Sequence, residues 1–484
     1  MKKNIKHIYF MGIGGTGMGS VAGLVKEAGY EVTGSDLNIY PPMSTILEKQ
    51  NIKVATPYSE KNLIDAKPDI VVVANVLSRG NEEIEYMLAH KIEYTSFPAL
   101  LGELFLSRQT SIVVAGTHGK TTTSSLMAHI LNQLGEKPGF LIGGLPRNFT
   151  SSFAVGLGNL FVVEGDEYDT AFFDKNSKFL HYCPKHLILN NIEYDHADIF
   201  KSIDEIDNQF CKLISLVPDP KNIVANIDDI GVERVLNRQS LKDKITGISC
   251  YGKTKDSPIS IQFTEAIPDS LRWRVSIKTD KWGVLEFSTI LQGPHNAANI
   301  AQCLGCLSSL TDSGSIKKTP DISSIKNALE SFQGVARRLD FLGSWGGIDV
   351  FEDFAHHPTA VRYVLESFKK HYSTRRVLVA FDPRNATSRR NIFLDRYSEV
   401  LSIADKVFIG ECLEDKRIPF EQRMNTNLLA KKIGISARAY EKNEMLLTDL
   451  LNEIKAGDSI IFMSSGSFSG IQYKLIEKLK DHRK

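Results

Sequence analysis

The chain has 484 residues, enough for about three domains at the usual ~100–200 residues each. Hydrophobic residues make up 42% and charged residues 24%, with 17 prolines and 35 glycines, an ordinary composition for a soluble enzyme that does not indicate disorder. A formal net charge of +1 excludes the long-range field of a general nucleic-acid or acidic-membrane binder, though not a local anion pocket.

Near the N-terminus a few basic residues precede a short apolar run that breaks into glycines. With no small-residue cleavage site, His7–Met11 reads as a first β-strand rather than a signal peptide. No stretch approaches the ~18 apolar residues of a spanning helix. The loop Gly12-Ile13-Gly14-Gly15-Thr16-Gly17 follows that strand and opens a helical pattern from Met18 to Ala28. Its glycines permit a tight turn and close approach to a diphosphate, whose charge meets a helix N-terminus. The next strand, Glu31–Gly34, ends at Ser35-Asp36, where an acid can hold a ribose hydroxyl. Alone this set fits an NAD-dependent dehydrogenase as well as a UDP-sugar binder, and a bare strand–helix turn is the bland alternative.

Strand Ser111–Ala115 runs into Gly116-Thr117-His118-Gly119-Lys120-Thr121-Thr122. Backbone N–H groups there can cradle phosphates, Lys120 can reach the β/γ oxygens, and the Thr121 hydroxyl can ligate Mg²⁺. The loop is shorter than an ordinary Walker loop, since Val114 stands five residues before Gly119. Two further strand ends carry acids: Glu164-Gly165-Asp166-Glu167 after Leu160–Val163, and Asn191-Ile192-Glu193-Tyr194-Asp195-His196 after Leu187–Asn190. Carboxylates at such ends can bind Mg²⁺, and a neutral imidazole can complete a second site. Residues 256–292 differ: Arg272–Lys278 alternates and Trp282-Gly283 marks a turn, so a small antiparallel patch is expected. Asn296–Leu310 reads as a helix carrying Cys303 and Cys306. That pair could be a metal or redox site, but core packing suits its apolar setting better. The other four cysteines are scattered, which makes a reduced, cytoplasmic protein the expectation. Ile70–Ala74, Val377–Phe381, Lys406–Ile409 and Ser459–Met463 are further buried parallel strands. Boundaries fall near Arg108–Thr110 and Phe332–Ala336.

Taken with His295-Asn296-x-x-Asn299, Arg337-Arg338 and Asp353-x-x-His356-His357-Pro358, these motifs resemble the bacterial Mur ligases in order and spacing over nearly the whole chain. The resemblance implies an α/β protein of three domains: a Rossmann-like UDP-sugar domain (1–110), a central P-loop ATPase-type domain (111–335), and a C-terminal Rossmann-like α/β domain for the amine substrate (336–484). It implies Lys120, Glu164, His196 and Arg338 as catalytic residues, with Thr121, Glu164 and His196 around Mg²⁺. ATP would meet Gly116–Thr122, Asn296, Asn299, Arg338 and Asp353. On sequence alone Asn296 is only a helix-start residue. The UDP-sugar would meet Gly12, Gly14, Gly15, Thr16, Gly17, Met18, Ser35 and Asp36. Of the two arginines, Arg338 fits the family pattern. Several members carry a carbamylated lysine about a helix beyond the metal histidine; Lys212, 16 residues past His196, is given no such role. The general base stays open among His196, His356 and His357.

Within the family, the stretches Tyr40–Thr45, Phe172–Phe179, His181–Pro184 and Asp382–Asn385 resemble members that attach a preformed cell-wall tripeptide rather than L-alanine to UDP-N-acetylmuramate. Asn385 and Ser388 stand where alanine-adding members carry arginines, and Arg384, Asn385 and His357 are the expected peptide contacts. No membrane insertion, no nucleic acid, and a monomer or weak dimer complete the expectation. A UDP-sugar-binding regulator without catalysis is the remaining alternative, against which the intact Lys120, Thr121, Glu164 and His196 speak.

Overall fold

The computed structural model describes residues 5–40, 43–250, 257–267 and 270–481. Pro41 and Pro42 of the Tyr40–Thr45 stretch, and residues 256, 268 and 269 of the expected antiparallel patch, lie outside them.

Three parallel-dominated sheets follow one another along the chain. The first contains β1 (His7–Met11), β2 (Glu31–Ser35), β3 (Lys53–Ala55), β4 (Ile70–Val73) and β5 (Tyr94–Thr95) in the all-parallel order 3-2-1-4-5. The second has seven strands. Their ranges are β6 (Thr110–Ala115), β7 (Gly139–Leu141), β8 (Phe153–Ala154), β9 (Leu160–Gly165), then, after the hairpin β10 (Asp169–Ala171) and β11 (Asp174–Ser177), β12 (His186–Leu189), β13 (Ile223–Asn226) and β14 (Thr246–Ile248). The order is 14-13-12-6-9-7-8, with only the edge pair β7–β8 antiparallel. The expected antiparallel patch is present as β15 (Ile259–Ala266), β16 (Trp273–Thr279) and β17 (Gly283–Thr289). The third sheet comprises β18 (Asp340–Trp345), β19 (Ile348–Asp353), β20 (Arg376–Phe381), β21 (Lys406–Ile409), β22 (Ala437–Ala439) and β23 (Asp458–Met463), ordered 18-19-23-20-21-22.

The central strands are apolar on both faces because helices cover both faces. All six residues of β6 and all four of β12 are buried, as expected of a parallel sheet with crossover helices. One core joins the first two sheets: Val21, Leu24 and Val25 of the helix Thr16–Glu27 pack with Phe153, Phe161 and Val163. Gly23 makes that contact possible, since a Cβ there would fall 2.4 Å from the Phe153 ring. Cys303 and Cys306 are buried and free in the helix Pro294–Asp312, in the core below the second sheet.

The sheets bring their strand C-termini to the chemistry. Side-by-side β12, β6 and β9 end at Asn190, Gly116 and Glu164-Gly165, β1 ends at Gly12, and β19 ends at Asp353. Crevices at such ends are where α/β sheets bind ligands.

Candidate active site

The phosphate loop turns through two glycines in left-handed conformations, Gly116 (φ 135°) and Gly119 (φ 81°), and Gly119 is the N-cap of the helix Lys120–Gln133. A side chain at Gly119 would be strained by φ and would also meet Asn299 Oδ1 at 2.7 Å and Asn190 Nδ2 at 2.9 Å. His118 N–H donates to Asn191 Oδ1 (2.7 Å) and Glu193 N–H to Thr117 Oγ1 (2.9 Å), so the neighbouring strand end braces the loop.

Lys120 folds back into this turn. Its ammonium donates to Gly116 O (2.7 Å) and to both Glu167 oxygens (3.1 and 2.9 Å). Burial works against its charge, but Glu167 and Asp166 more than offset this and the pKa is raised. Glu167 also takes His196 Nε2 at 2.8 Å. Burial works against the imidazolium too, yet Asp195 and Glu167 lift it to about 9. His196 has φ 54°, left-handed backbone that a non-glycine residue keeps only where its surroundings hold it.

Thr121 Oγ1 donates to Glu164 Oε1 (2.9 Å) and accepts from Arg338 (2.9 Å), while Gly143 N–H caps Glu164 Oε2 (2.7 Å). Thus Arg338 reaches the phosphate loop. Arg337 turns back to Glu352 (2.8 Å) and the Ser464 carbonyl (2.9 Å). Arg338 lies over the Phe354 ring (4.7 Å), and Asp353 beside it is capped by Leu339 N–H (2.5 Å) and Ala355 N–H (2.6 Å).

Two cavities share this wall. One, of about 370 Å³, is lined by Thr16, Gly17, Lys120, Thr121, Glu164, Asp166, His196, Arg338, His356 and His357. The other, of about 560 Å³, is lined by His118, Gly119, Thr122, Asn296, Asn299, Arg338 and Asp353, and by His295 and Tyr363, whose rings stack at 5.1 Å. Asn299 donates to Asn296 Oδ1 (3.0 Å).

Several expected residues sit otherwise. Ser35 is fully buried and donates to Glu83 (2.6 Å), so its hydroxyl faces the core rather than the glycine loop. Asp36 is drawn onto that loop: its carboxylate accepts Gly14 N–H (2.7 Å) and Leu37 N–H (2.7 Å). His196 pairs with Glu167. Among the described residues, the metal-competent group of three His, Cys, Asp or Glu side chains is instead His118, Glu193 and His357. His357 is 1% exposed, caps the helix Pro358–His371 and lies against His118. Asn385 accepts Ser388 N–H (2.7 Å) in a local turn. Thr387 of the same loop donates to Asp195 (2.7 Å), which also lines the smaller cavity, and so brings the 382–390 segment to it. Lys212 is exposed and donates to Asn176 (3.2 Å). Glu167 belongs to the Glu-Gly-Asp-Glu run, but no local pattern marks it for a role; only the fold shows it joining Lys120 to His196.

Comparison with known proteins decides the family. Residues 7–109 match the model "Mur ligase family, catalytic domain", 114–307 the "Mur ligase middle domain" and 337–466 the "Mur ligase, glutamate ligase domain". The UDP-N-acetylmuramate–L-alanyl-gamma-D-glutamyl-meso-2,6-diaminoheptandioate ligase of Escherichia coli is 37% identical over 474 residues, 98% of each chain. The chain belongs to the Mur ligase family. Mur ligases are ATP-dependent, ADP-forming ligases, and this Mur ligase is an α/β protein with their three domains. The crystal structure of a murein peptide ligase from Psychrobacter arcticus is similar to it at TM-score 0.70 and 33% identity, covering 98% of both chains. The UDP-N-acetylmuramate–alanine ligase from Thermotoga maritima shares the fold at TM-score 0.77 and 22% identity, covering 99% of this chain and 100% of that one. No helix among the described residues is long and apolar enough to cross a membrane.

Proposed function

We propose that this Mur ligase joins the muramate carboxylate of UDP-N-acetylmuramate to the amine of L-alanyl-γ-D-glutamyl-meso-diaminopimelate, through an acyl phosphate made with ATP. The relatives named for that reaction, similar over nearly the whole chain, carry this reading. Residues 1–110 hold the UDP-sugar, 111–335 ATP and 336–484 the peptide.

The glycine loop Gly12–Gly17, with Met18 behind it, receives the UDP diphosphate, and Asp36 acts by holding the loop through Gly14. ATP lies along Gly116–Thr122 with its base in the larger cavity near Asn296, Asn299 and Asp353. Lys120 leaves Glu167 for the β/γ phosphates, and Arg338 adds a second cation. Both offset the charge that spreads over the phosphoryl oxygens in transfer. The muramate carboxylate enters the smaller cavity, where Lys120 and Arg338 stand among Glu164, Asp166 and Asp195, and closure of the domains would keep water from the acyl phosphate. The peptide amine arrives from the 382–390 side, past Thr387 and Asp195, with Arg384, Asn385 and His357 nearest its path.

Thr121 and Glu164 fit a magnesium ion: two hard oxygen donors stand 2.9 Å apart beside the phosphate loop. His196 would join them as a neutral imidazole through Nδ1, which is buried with no hydrogen-bond partner, once the cation's charge displaces the proton that Asp195 and Glu167 hold on the ring. When bound, Mg²⁺ supplies charge neutralisation at the transferring phosphate.

Incubation with ATP, Mg²⁺, UDP-N-acetylmuramate and the tripeptide is expected to release ADP and yield the UDP-muramyl-tripeptide by mass. Excess EDTA is expected to abolish both. ADP release that ignores the UDP-sugar, or full turnover in EDTA, would overturn this reading.

A further inference from the structure

One buried cation near the cavity has no part in the mechanism above. Lys178 is 6% exposed and follows the β10–β11 hairpin. Its ammonium lies 2.7 Å from Asp166 Oδ2, 5.3 Å from the Tyr168 ring centre and 5.7 Å from that of Phe97. Each neighbour leads somewhere. Phe97 backs the sugar loop, for a Cβ on Gly17 would fall 3.5 Å from its ring. Tyr168 packs on His196 (4.1 Å) and donates its N–H to Asp166 Oδ1 (3.1 Å). The hairpin is itself tied to the first sheet, with Phe173 against Tyr94 (5.0 Å) and Phe172 packed on that domain's core. Lys178 therefore stands at the joint between the sugar loop and the acidic strand end.

Asp166 is the group it controls. Its carboxylate is about a third exposed and lines the cavity shared by Thr16, Gly17 and Lys120. Glu164 and Glu167 stand two and one residues away, so an Asp166 without its partner would be repelled by both and drawn toward Lys120. Held by Lys178, it keeps one orientation and stays an acceptor-only group.

We propose that Lys178 is a positioning residue for the UDP-sugar: through Asp166 it fixes an acceptor that takes an O–H or N–H of the muramoyl group and turns the muramate carboxylate away, toward Lys120. This rests on the UDP-sugar reading above. The acetamido N–H and ring hydroxyls are the donors available, and the like charge of Asp166 and muramate sets the orientation.

The test is calorimetric Kd and steady-state KM for UDP-N-acetylmuramate and for ATP, on the full chain. Lys178→Met is expected to weaken the UDP-sugar about 10- to 100-fold, the loss of a hydrogen bond to a charged group, while KM for ATP moves less than about twofold. Lys178→Arg is expected to restore most of the loss. Asp166→Asn is expected to reproduce it, with the double variant no worse than either single one. If Lys178→Met does not fold, Asp166→Asn alone decides. Unchanged UDP-sugar binding, equal losses for both ligands, or no rescue by arginine would overturn the proposal. A wild-type chain that fails to bind the UDP-sugar would instead reject the reading on which it rests.

Discussion

Replacing Lys120 with alanine is expected to reduce kcat by on the order of 10²–10³ while the chain stays folded. The ammonium already sits in the turn that would hold the phosphates, with Gly116 O at 2.7 Å and Glu167 as its counter-ion. Its largest effect comes as negative charge spreads during phosphoryl transfer, so kcat should fall more than KM for ATP rises. The fold should survive because alanine is a good helix former at the first helical position behind the Gly119 cap, and the helix's apolar face is packed without Lys120. Alanine does leave Glu167 without the lysine, with His196 Nε2 still 2.8 Å from its carboxylate. Single-turnover acyl-phosphate formation, measured beside a thermal melt, separates the two effects. Near wild-type turnover would remove the phosphate-loop assignment.

Arg338→Ala should cost on the order of 10² in kcat, and Arg337→Ala far less. Both side chains lie over the Phe354 ring, at 4.7 and 5.3 Å, yet Arg338 alone bonds to Thr121 across 217 positions of sequence. Arg337 spends its guanidinium on Glu352 and on the Ser464 and Gly466 carbonyls. Its loss should therefore show in the melting temperature of the third domain rather than in catalysis. Comparing kcat and melting temperature for the two variants checks this. A larger kcat loss for Arg337→Ala would reverse the assignment.

What could be read in the sequence was what is continuous in it. The Gly12–Gly17 and Gly116–Thr122 loops each carry strand, turn and helix start in one run. β1 and β21 fall at their expected residues because short apolar runs between turn signals allow little else. Links between distant segments were not readable. The Lys120–Glu167–His196 chain joins three strand ends through sheet order 12-6-9, which no local pattern encodes. Ser35 and Asp36 show the limit from the other side. A strand-end acid facing a ligand and one capping its own glycine loop look alike in sequence, and the Glu83 that claims Ser35 lies 48 residues away. Likewise Asn385 and Ser388 were legible as missing arginines, while their mutual turn and the Thr387–Asp195 contact that places it were not.

This ligase is expected to extend UDP-N-acetylmuramate with a peptide rather than with free L-alanine. That preference is tested most directly by kcat/KM for L-alanyl-γ-D-glutamyl-meso-diaminopimelate and for free L-alanine at one saturating concentration of UDP-N-acetylmuramate and MgATP. Asn385 and Ser388 bond to each other and offer L-alanine no paired guanidinium for its carboxylate, the contact that makes such recognition strong. A tripeptide carries its carboxylates further from its amine, and Arg384, Arg389 and Arg390 lie on the same loop, Arg389 3.6 Å from Asp415 and Arg390 donating to Gln422 (3.0 Å). The tripeptide is expected to be preferred by on the order of 10²-fold or more. Equal or better use of L-alanine would contradict the account and make this chain an alanine-adding Mur ligase.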